Sequence, residues 1–431
     1  MAKVSAQTGI IPPPAISSVL LLLVVTVLAC VGLLMVTSAS IDVAERSYGN
    51  PFYFAQRHGI YLIMALITAA ITYQVSMNVW QRSGAALLIL AYVLLVLVLV
   101  PGIGRTVNGS TRWISLGLIT VQVSELVKIF VLVYLAGYLV RRQHEVKESF
   151  WGFIKPVMIL SVMALLLLLE PDFGSVVLIM ASVFAMLFLG GVKFSQFSLL
   201  IVGSGAAAVG LVMSSEYRLR RITGYIDPWA DQYSSGYHLV QSLIAFGRGD
   251  VAGLGLGNGI QKLFYLPEAH TDFIFAILAE ETGLIGTLCI IGLYVTLVLL
   301  ALFIGNRAEK LGAKFNGYLA YGFGVMLGLQ AFINIGVCSG LLPTKGLTLP
   351  FISYGGSSLI VNAVIVAMLL RISRENQLIE QGVLELPERE NDAQLKASKP
   401  NSAEKKAKGQ STVEPAAAFL GRWLRRGGQS I

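Results

Sequence analysis

Leu266-Pro-Glu-Ala-His-Thr-Asp-Phe-Ile-Phe-Ala-Ile-Leu-Ala-Glu-Glu281 sets Glu268, His270, Thr271 and Asp272 directly against an apolar run. Beyond Thr282 and Gly283 that run continues to about residue 305 without a single Asp, Glu, Lys or Arg. About 20 mostly apolar residues suffice for a helix to cross a bilayer. The stretch therefore reads as a polar site placed where a membrane span begins. Ionisable groups at such a boundary cost free energy, so they signal function.

The rest of the chain agrees with a membrane setting. Of 431 residues, 55% are hydrophobic and 13% charged, and the mean hydropathy is +0.72. Soluble domains carry about 25% charged residues. Ten segments are long and apolar enough to span: 16–37, 58–75, 83–100, 121–140, 153–169, 175–191, 196–213, 282–305, 315–337 and 355–372. The expected fold is an all-α polytopic integral membrane protein of about ten helices, with a large loop, 214–271, between the seventh and eighth. Ser38-Ala39-Ser40 resembles a signal-peptide cleavage site, but the apolar core from Ile16 to Val36 exceeds the usual length. The first span is read as retained.

Basic residues orient the bundle. Arg82, Arg141, Arg142, Lys147, Lys155, Lys193, Arg307, Lys310 and Lys314 fall in one set of short loops. Arg46, Arg57, Arg105, Arg112 and Lys345 fall in the other. The richer set belongs inside, which puts both termini in the cytoplasm and loop 214–271 outside. The +8 net charge follows from this bias and does not argue for nucleic acid. Cys30, Cys289 and Cys338 are scattered and show neither metal spacing nor a disulfide framework. Residues 1–15 form a short cytoplasmic N-terminus and 16–372 the membrane domain. The tail, 373–431, turns polar and is expected to be mostly disordered, ending in Phe419-Leu-Gly-Arg-Trp-Leu-Arg-Arg426.

Candidate chemistry gathers in the outer loops. Asp272 is the leading candidate for a catalytic carboxylate, and Thr271 or Asp272 before an apolar run is also an ordinary helix cap. Glu268 and His270 stand close enough to tune it. Loop 214–271 contains Arg218, Arg220 and Arg221, whose guanidinium forks suit a diphosphate or an anionic lipid surface. Val240 to Phe246 reads as a short re-entrant or interfacial helix. The run Gly253-Leu-Gly-Leu-Gly-Asn-Gly259 lets backbone approach a ligand, but it lacks the phosphate-loop ending. In the fourth span Glu125 and Lys128 share a helix face and can pair, as a polar cavity floor or as a structural tie. Asn108-Gly-Ser-Thr-Arg-Trp113 is an outer loop whose Trp113 can pack a lipid or sugar or anchor the interface. Glu170-Pro-Asp-Phe-Gly174 and the segment from Pro343 to Ser358 are further constrained turns. Irregular backbone at membrane depth is tolerated inside protein or along a wet cavity, so these turns point to one cavity.

Glu170-Pro-Asp-Phe-Gly174, His270-Thr-Asp-Phe-Ile-Phe-Ala276 with Ala279-Glu-Glu281, and Leu349-Pro-Phe-Ile-Ser-Tyr-Gly-Gly356 together resemble the SEDS proteins of shape, elongation, division and sporulation. Thr344-Lys-Gly346 and Gly355-Gly-Ser-Ser358 are more similar to the division member than to the elongation member. The resemblance implies a peptidoglycan glycosyltransferase that polymerises lipid II, the undecaprenyl-diphosphate-linked disaccharide peptide, into β-1,4 strands at the septum. It implies inversion, with Asp272 as base and Trp113, Glu125, Lys128, Arg218, Arg221, His270 and Lys345 toward substrate. No resident metal is implied, but a divalent cation (Mg2+ or Mn2+) could assist at the diphosphate. Expected partners are a class B penicillin-binding transpeptidase and other divisome membrane proteins. The expected place is the bacterial inner membrane, with the site on its periplasmic face. A flippase for the same lipid-linked precursor and a non-catalytic divisome scaffold are the competing readings.

Overall fold

The computed structural model describes residues 15–107, 110–115, 117, 120–214, 224–234, 236–343 and 346–385. Ten helices occupy the ten expected places. They are α1 (Ile16–Tyr48), α2 (Tyr53–Gln74), α3 (Met77–Leu99), α4 (Val123–Arg141), α6 (Phe150–Leu169), α7 (Phe173–Leu189), α8 (Phe194–Met213), α10 (Ile274–Lys310), α11 (Lys314–Cys338) and α12 (Gly356–Glu380). Among the described residues, nine have the length and composition to cross a membrane, and α7, with 17 residues, is slightly shorter. Among the described residues, short helices include α5 (Gln143–Glu148) and α9 (Tyr237–Gly249). The chain is a multi-pass membrane protein. Its α-helical frame also carries a three-stranded antiparallel sheet, β1 (Gly104–Val107), β2 (Ser110–Ser115) and β3 (Thr120–Gln122).

Burial divides the bundle. Nearly every residue of α4 from Val123 to Leu139 is buried, whereas α8 buries none. α4 is therefore an inner helix, and α8 keeps its apolar side chains on the outside, where only lipid can satisfy them. α11 and α12 are largely buried as well and pack with α4, α10 and α2.

The eighth span departs most from expectation. It begins at Ile274, eight residues before the predicted start, and its 37 residues would measure about 55 Å as one rod. It is instead broken at Gly283, whose φ of 67° and ψ of −165° suit only glycine. A break in a buried helix frees carbonyls above it and N–H groups below it. Loop residues 250–255 take up both. Leu254 and Gly255 donate N–H to the carbonyls of Glu280 and Glu281, at 3.1 and 3.0 Å. Leu284 and Ile285 donate to the carbonyls of Asp250 and Val251, at 2.9 and 3.2 Å.

Gly253 and Gly255 therefore approach their own chain, whereas Gly257 and Gly259 line a second cavity with Lys262 and Ser38. Side chains seal the same junction. Glu280 accepts from Arg248 Nε at 3.0 Å and from the N–H groups of Ile260 and Gln261, both at 3.1 Å. Glu281 accepts from Lys262 Nζ at 2.7 Å, Ser38 Oγ at 2.8 Å and Gly257 N–H at 3.0 Å.

Other boundaries move too. α1 continues eleven residues past the predicted 37, and Ser38 to Ser40 lie inside it. α12 continues from the predicted 372 to Glu380, burying Ser373, Glu375 and Asn376. The short helix expected at Val240 to Phe246 is α9, longer by three residues at each end.

Candidate active site

The β-sheet places three unlike side chains in one row. Arg105 pairs with Trp113 across β1 and β2, and Trp113 pairs with Gln122 across β2 and β3. Directly opposed residues of antiparallel strands lie side by side on one face. All three line a cavity of about 300 Å3, together with Thr120, Thr348 and Gly355 to Ser358. The last four are the start of α12, which has no side-chain cap, so its first N–H groups are available at the cavity wall. Of the 108–113 stretch, expected as a loop, residues 110–113 lie in β2, which carries Trp113.

Beneath the cavity lies a buried polar network. Lys128 Nζ is 2.7 Å from Glu125 Oε2 and donates to Gln330 Oε1 at 3.1 Å. Gln330 Nε2 donates to the Thr348 carbonyl at 2.9 Å, and Thr348 Oγ1 donates to Ser358 Oγ at 2.9 Å. The pair inferred from helix spacing is therefore real, and two hydrogen bonds connect it to a residue of the cavity wall. An ammonium group at this depth needs such partners.

Asp272 stands half-buried just before the first half of α10. Phe273 occupies the helix cap position and supplies no capping side chain, so neither Thr271 nor Asp272 is the cap. Thr271 Oγ1 is engaged with Glu268 Oε2, at 2.6 Å. The Asp272 main-chain carbonyl accepts from Asn334 Nδ2 at 2.9 Å. Its carboxylate lies against Gly346, where a Cβ would come within 2.8 Å of Oδ2. Gly346 is two residues from Thr348 of the cavity wall. The His270 ring packs 4.6 Å from that of Phe54 and 5.8 Å from that of Tyr354, centroid to centroid. Burial lowers the His270 pKa, with Glu268 opposing, so the imidazole is held toward its neutral form.

Beside the cavity, Asp172 joins four elements. It caps α7 through Ser175 N–H at 3.2 Å and accepts from Ser124 Oγ at 2.9 Å, Ser175 Oγ at 2.8 Å and Gln122 Nε2 at 3.3 Å. Arg112 Nη1 lies 3.6 Å away. The adjacent Glu170 is wholly buried, and neither carboxyl oxygen has a hydrogen-bond partner among the described residues. Burial first, then the charge of Asp172, push its pKa up to about 8, with Arg112 opposing. A carboxyl raised in the folded state holds its proton more tightly there than when unfolded. Its stabilising effect is full below the ordinary value of 4.5 and is lost as pH rises through about 8. The expected result is that heat resistance of the parent falls relative to Glu170→Gln between about pH 5 and about pH 9. Parallel melting curves for the two proteins across that range would refute it.

The structure thus brings Trp113, Glu125, Lys128 and Asp272 to one end of the bundle and sets His270 in an aromatic cluster alongside. Arg218, Arg221 and Lys345 lie outside the described residues. Sequence reading passed over Arg105, Gln122, Gln330 and Asn334. Arg105 and Gln122 carried a signal, since β-strand alternation around Asn108-Gly109 marks a hairpin. Gln330 and Asn334, one helical turn apart in an apolar span, carried a weaker one.

Comparison with known proteins shows the family and the fold. Residues 18–378 match the family model described as cell cycle protein, that of FtsW, RodA and SpoVE. The chain is 50% identical over 390 residues to a protein of Hahella chejuensis named "Probable peptidoglycan glycosyltransferase FtsW", covering 90% of this chain and 97% of that one. A Coxiella burnetii protein of the same name is 51% identical over 350 residues, 81% of this chain and 94% of its own. Among solved structures, a chain of a peptidoglycan synthase complex superposes with a TM-score of 0.66 at 26% identity, over 83% of this chain and 97% of that one. Thermus thermophilus RodA superposes with a TM-score of 0.62 at 27% identity, over 83% and 96%. The chain belongs to the cell cycle protein family of FtsW, RodA and SpoVE, the SEDS proteins, and its relatives are of the FtsW type.

Proposed function

We propose that the chain is a peptidoglycan glycosyltransferase that polymerises lipid II into β-1,4 glycan strands during septal wall synthesis, by inversion, with Asp272 as general base. The observation that carries this is the half-buried Asp272 carboxylate against Gly346, two residues along the chain from Thr348 of a cavity lined by a cation, an aromatic ring and hydroxyls. Polymerisation needs a sugar hydroxyl to lose its proton as its oxygen attacks the anomeric carbon of an α-linked donor. The carbon–oxygen bond to the diphosphate breaks on the opposite face. Asp272 takes the proton, and the diphosphate leaves without a general acid if cations neutralise it.

Arg105 is the described cation that faces the cavity, and the uncapped start of α12 adds N–H donors beside it. Among the described residues, no three His, Cys, Asp or Glu side chains come together as a metal needs. An ion held mainly by the diphosphate oxygens needs fewer protein ligands than that, and no step here runs through one. Arg105→Ala should lower turnover of purified protein on lipid II about 10- to 100-fold, with Arg105→Lys between it and the parent, since lysine keeps the charge but loses the fork. Full turnover by Arg105→Ala would remove it from the mechanism.

The bias of basic residues supports both termini in the cytoplasm and the site on the periplasmic face of the inner membrane. A class B penicillin-binding transpeptidase is the partner that fits. The neighbouring chain from a synthase complex comes from a study of coordinated polymerization and crosslinking. The broken α10 is a feature that transporters share. Here the groups freed by the break are taken by the chain's own loop, which weighs against the flippase reading. The test is reconstitution of the purified chain with its transpeptidase and lipid II. Glycan polymer supports the proposal. Transbilayer movement of lipid II without polymer would establish the flippase instead, and neither activity would leave the scaffold.

A further inference from the structure

We propose that Asn334 is a positioning residue for Asp272, holding the base in register with the cavity wall. The inference rests on the reading of Asp272 as base. Asn334 lies on α11 and is 1% exposed. Its amide nitrogen donates to two carbonyls on two different segments, Asp272 at 2.9 Å and Leu347 at 2.6 Å. A primary amide has two N–H groups, and each is spent on a separate loop. One loop carries the base, and the other runs through Gly346, Leu347 and Thr348 into the cavity wall. Cys338 Sγ, one turn on, reaches the same Asp272 carbonyl at 3.5 Å.

Gln330 repeats the device one turn earlier, donating to the Thr348 carbonyl while accepting from Lys128. α11 thus presents two amides, four residues apart, that grip the consecutive carbonyls of Leu347 and Thr348. Of the two amides, Asn334 alone also reaches Asp272. The Asp272 carboxylate is then located from both sides, its main chain by Asn334 and its side chain by the missing Cβ of Gly346. Proton transfer needs heavy atoms within hydrogen-bond reach, and a misplacement of about 1 Å can cost on the order of 100-fold. No other side chain supplies this clamp at the same length. Aspartate offers one proton at most, alanine none, and glutamine is a methylene too long.

A merely structural amide would also be missed on removal, so the experiment includes a control from the same helix. Asn316, at the other end of α11, is buried and donates to Glu375 Oε2 at 3.3 Å. Asn334→Ala and Asn316→Ala each delete one buried amide. Both should lower heat resistance in detergent. Only Asn334→Ala should lower kcat for lipid II, by about 10- to 100-fold with KM within about twofold. Unchanged kcat in folded Asn334→Ala, or an equal loss in Asn316→Ala, would overturn the assignment. If Asn334→Ala does not fold, Gly346→Ala pushes the same carboxylate from the other loop and must show the kcat loss; full turnover there overturns it. Asp272→Asn run alongside separates the two failures. An active Asp272→Asn removes the base itself. An inactive one beside a fully active Asn334→Ala removes only the positioning role.

Discussion

Asp272→Asn should fold and insert like the parent yet polymerise lipid II about 100- to 10,000-fold more slowly. The substitution is isosteric, and the Asn334 bond to this residue goes to its main-chain carbonyl, which the change leaves in place. What disappears is the ability to take a proton, because an amide oxygen is a far weaker base than a carboxylate. Asp272→Glu keeps the base but lengthens it by a methylene, so its carboxylate cannot keep the place it holds beside Gly346. It should recover part of the rate and not all. The measurement is glycan chain formation by purified protein at matched folded fraction, with lipid II binding followed separately. Binding should survive both changes, since the carboxylate acts on the proton and not on the lipid anchor. Undiminished polymerisation by Asp272→Asn would end the general-base proposal. Loss of both polymerisation and binding would make Asp272 a substrate contact instead.

The spans and the leading carboxylate were legible because each depends on local chemistry. An apolar run of about 20 residues has few other uses, and a carboxylate at its threshold is costly wherever the chain goes next. What was not legible was pairing at a distance. Glu280 and Glu281 announced that they needed partners, but those partners come from Ser38, Arg248, Gly257 and residues 260–262. The glycine run showed backbone freedom and not what the backbone would approach, so the seam that residues 250–255 form with the broken helix was not foreseen. The start of α10 was placed late because Glu280 and Glu281 interrupt the apolar run, and only their partners explain how they sit inside a helix. The β-hairpin was legible from its Asn-Gly pair and was obscured by the expectation of an all-helical chain. Arg105 followed it out of view, counted as a topological charge when the pairing sets it beside Trp113.

Glu125 and Lys128 offer the sharpest separation of architecture from function. Both are buried in α4, and removing one leaves the other charged in a dry surrounding. Lys128→Met or Glu125→Leu alone should cost about 3–5 kcal/mol, seen as early loss of folded protein on heating in detergent. Glu125→Leu with Lys128→Met removes both charges and replaces them with apolar side chains of similar volume, so most of that loss should be recovered. Turnover should not recover with it. Lys128 also donates to Gln330, whose amide holds the Thr348 carbonyl in the cavity wall. Without the lysine, Gln330 Oε1 is left buried and unsatisfied, and the amide can swing away from Thr348. The double variant is therefore expected to be stable and about tenfold slower, a loss of roughly 1.4 kcal/mol in the transition state. A double variant both stable and fully active would reduce the pair to a packing device. One that stays as unstable as the single variants would mean that α4 depends on Gln330 more than on the charges, and the grip of α11 on the Leu347 and Thr348 carbonyls would then be the element that holds this end of the bundle together.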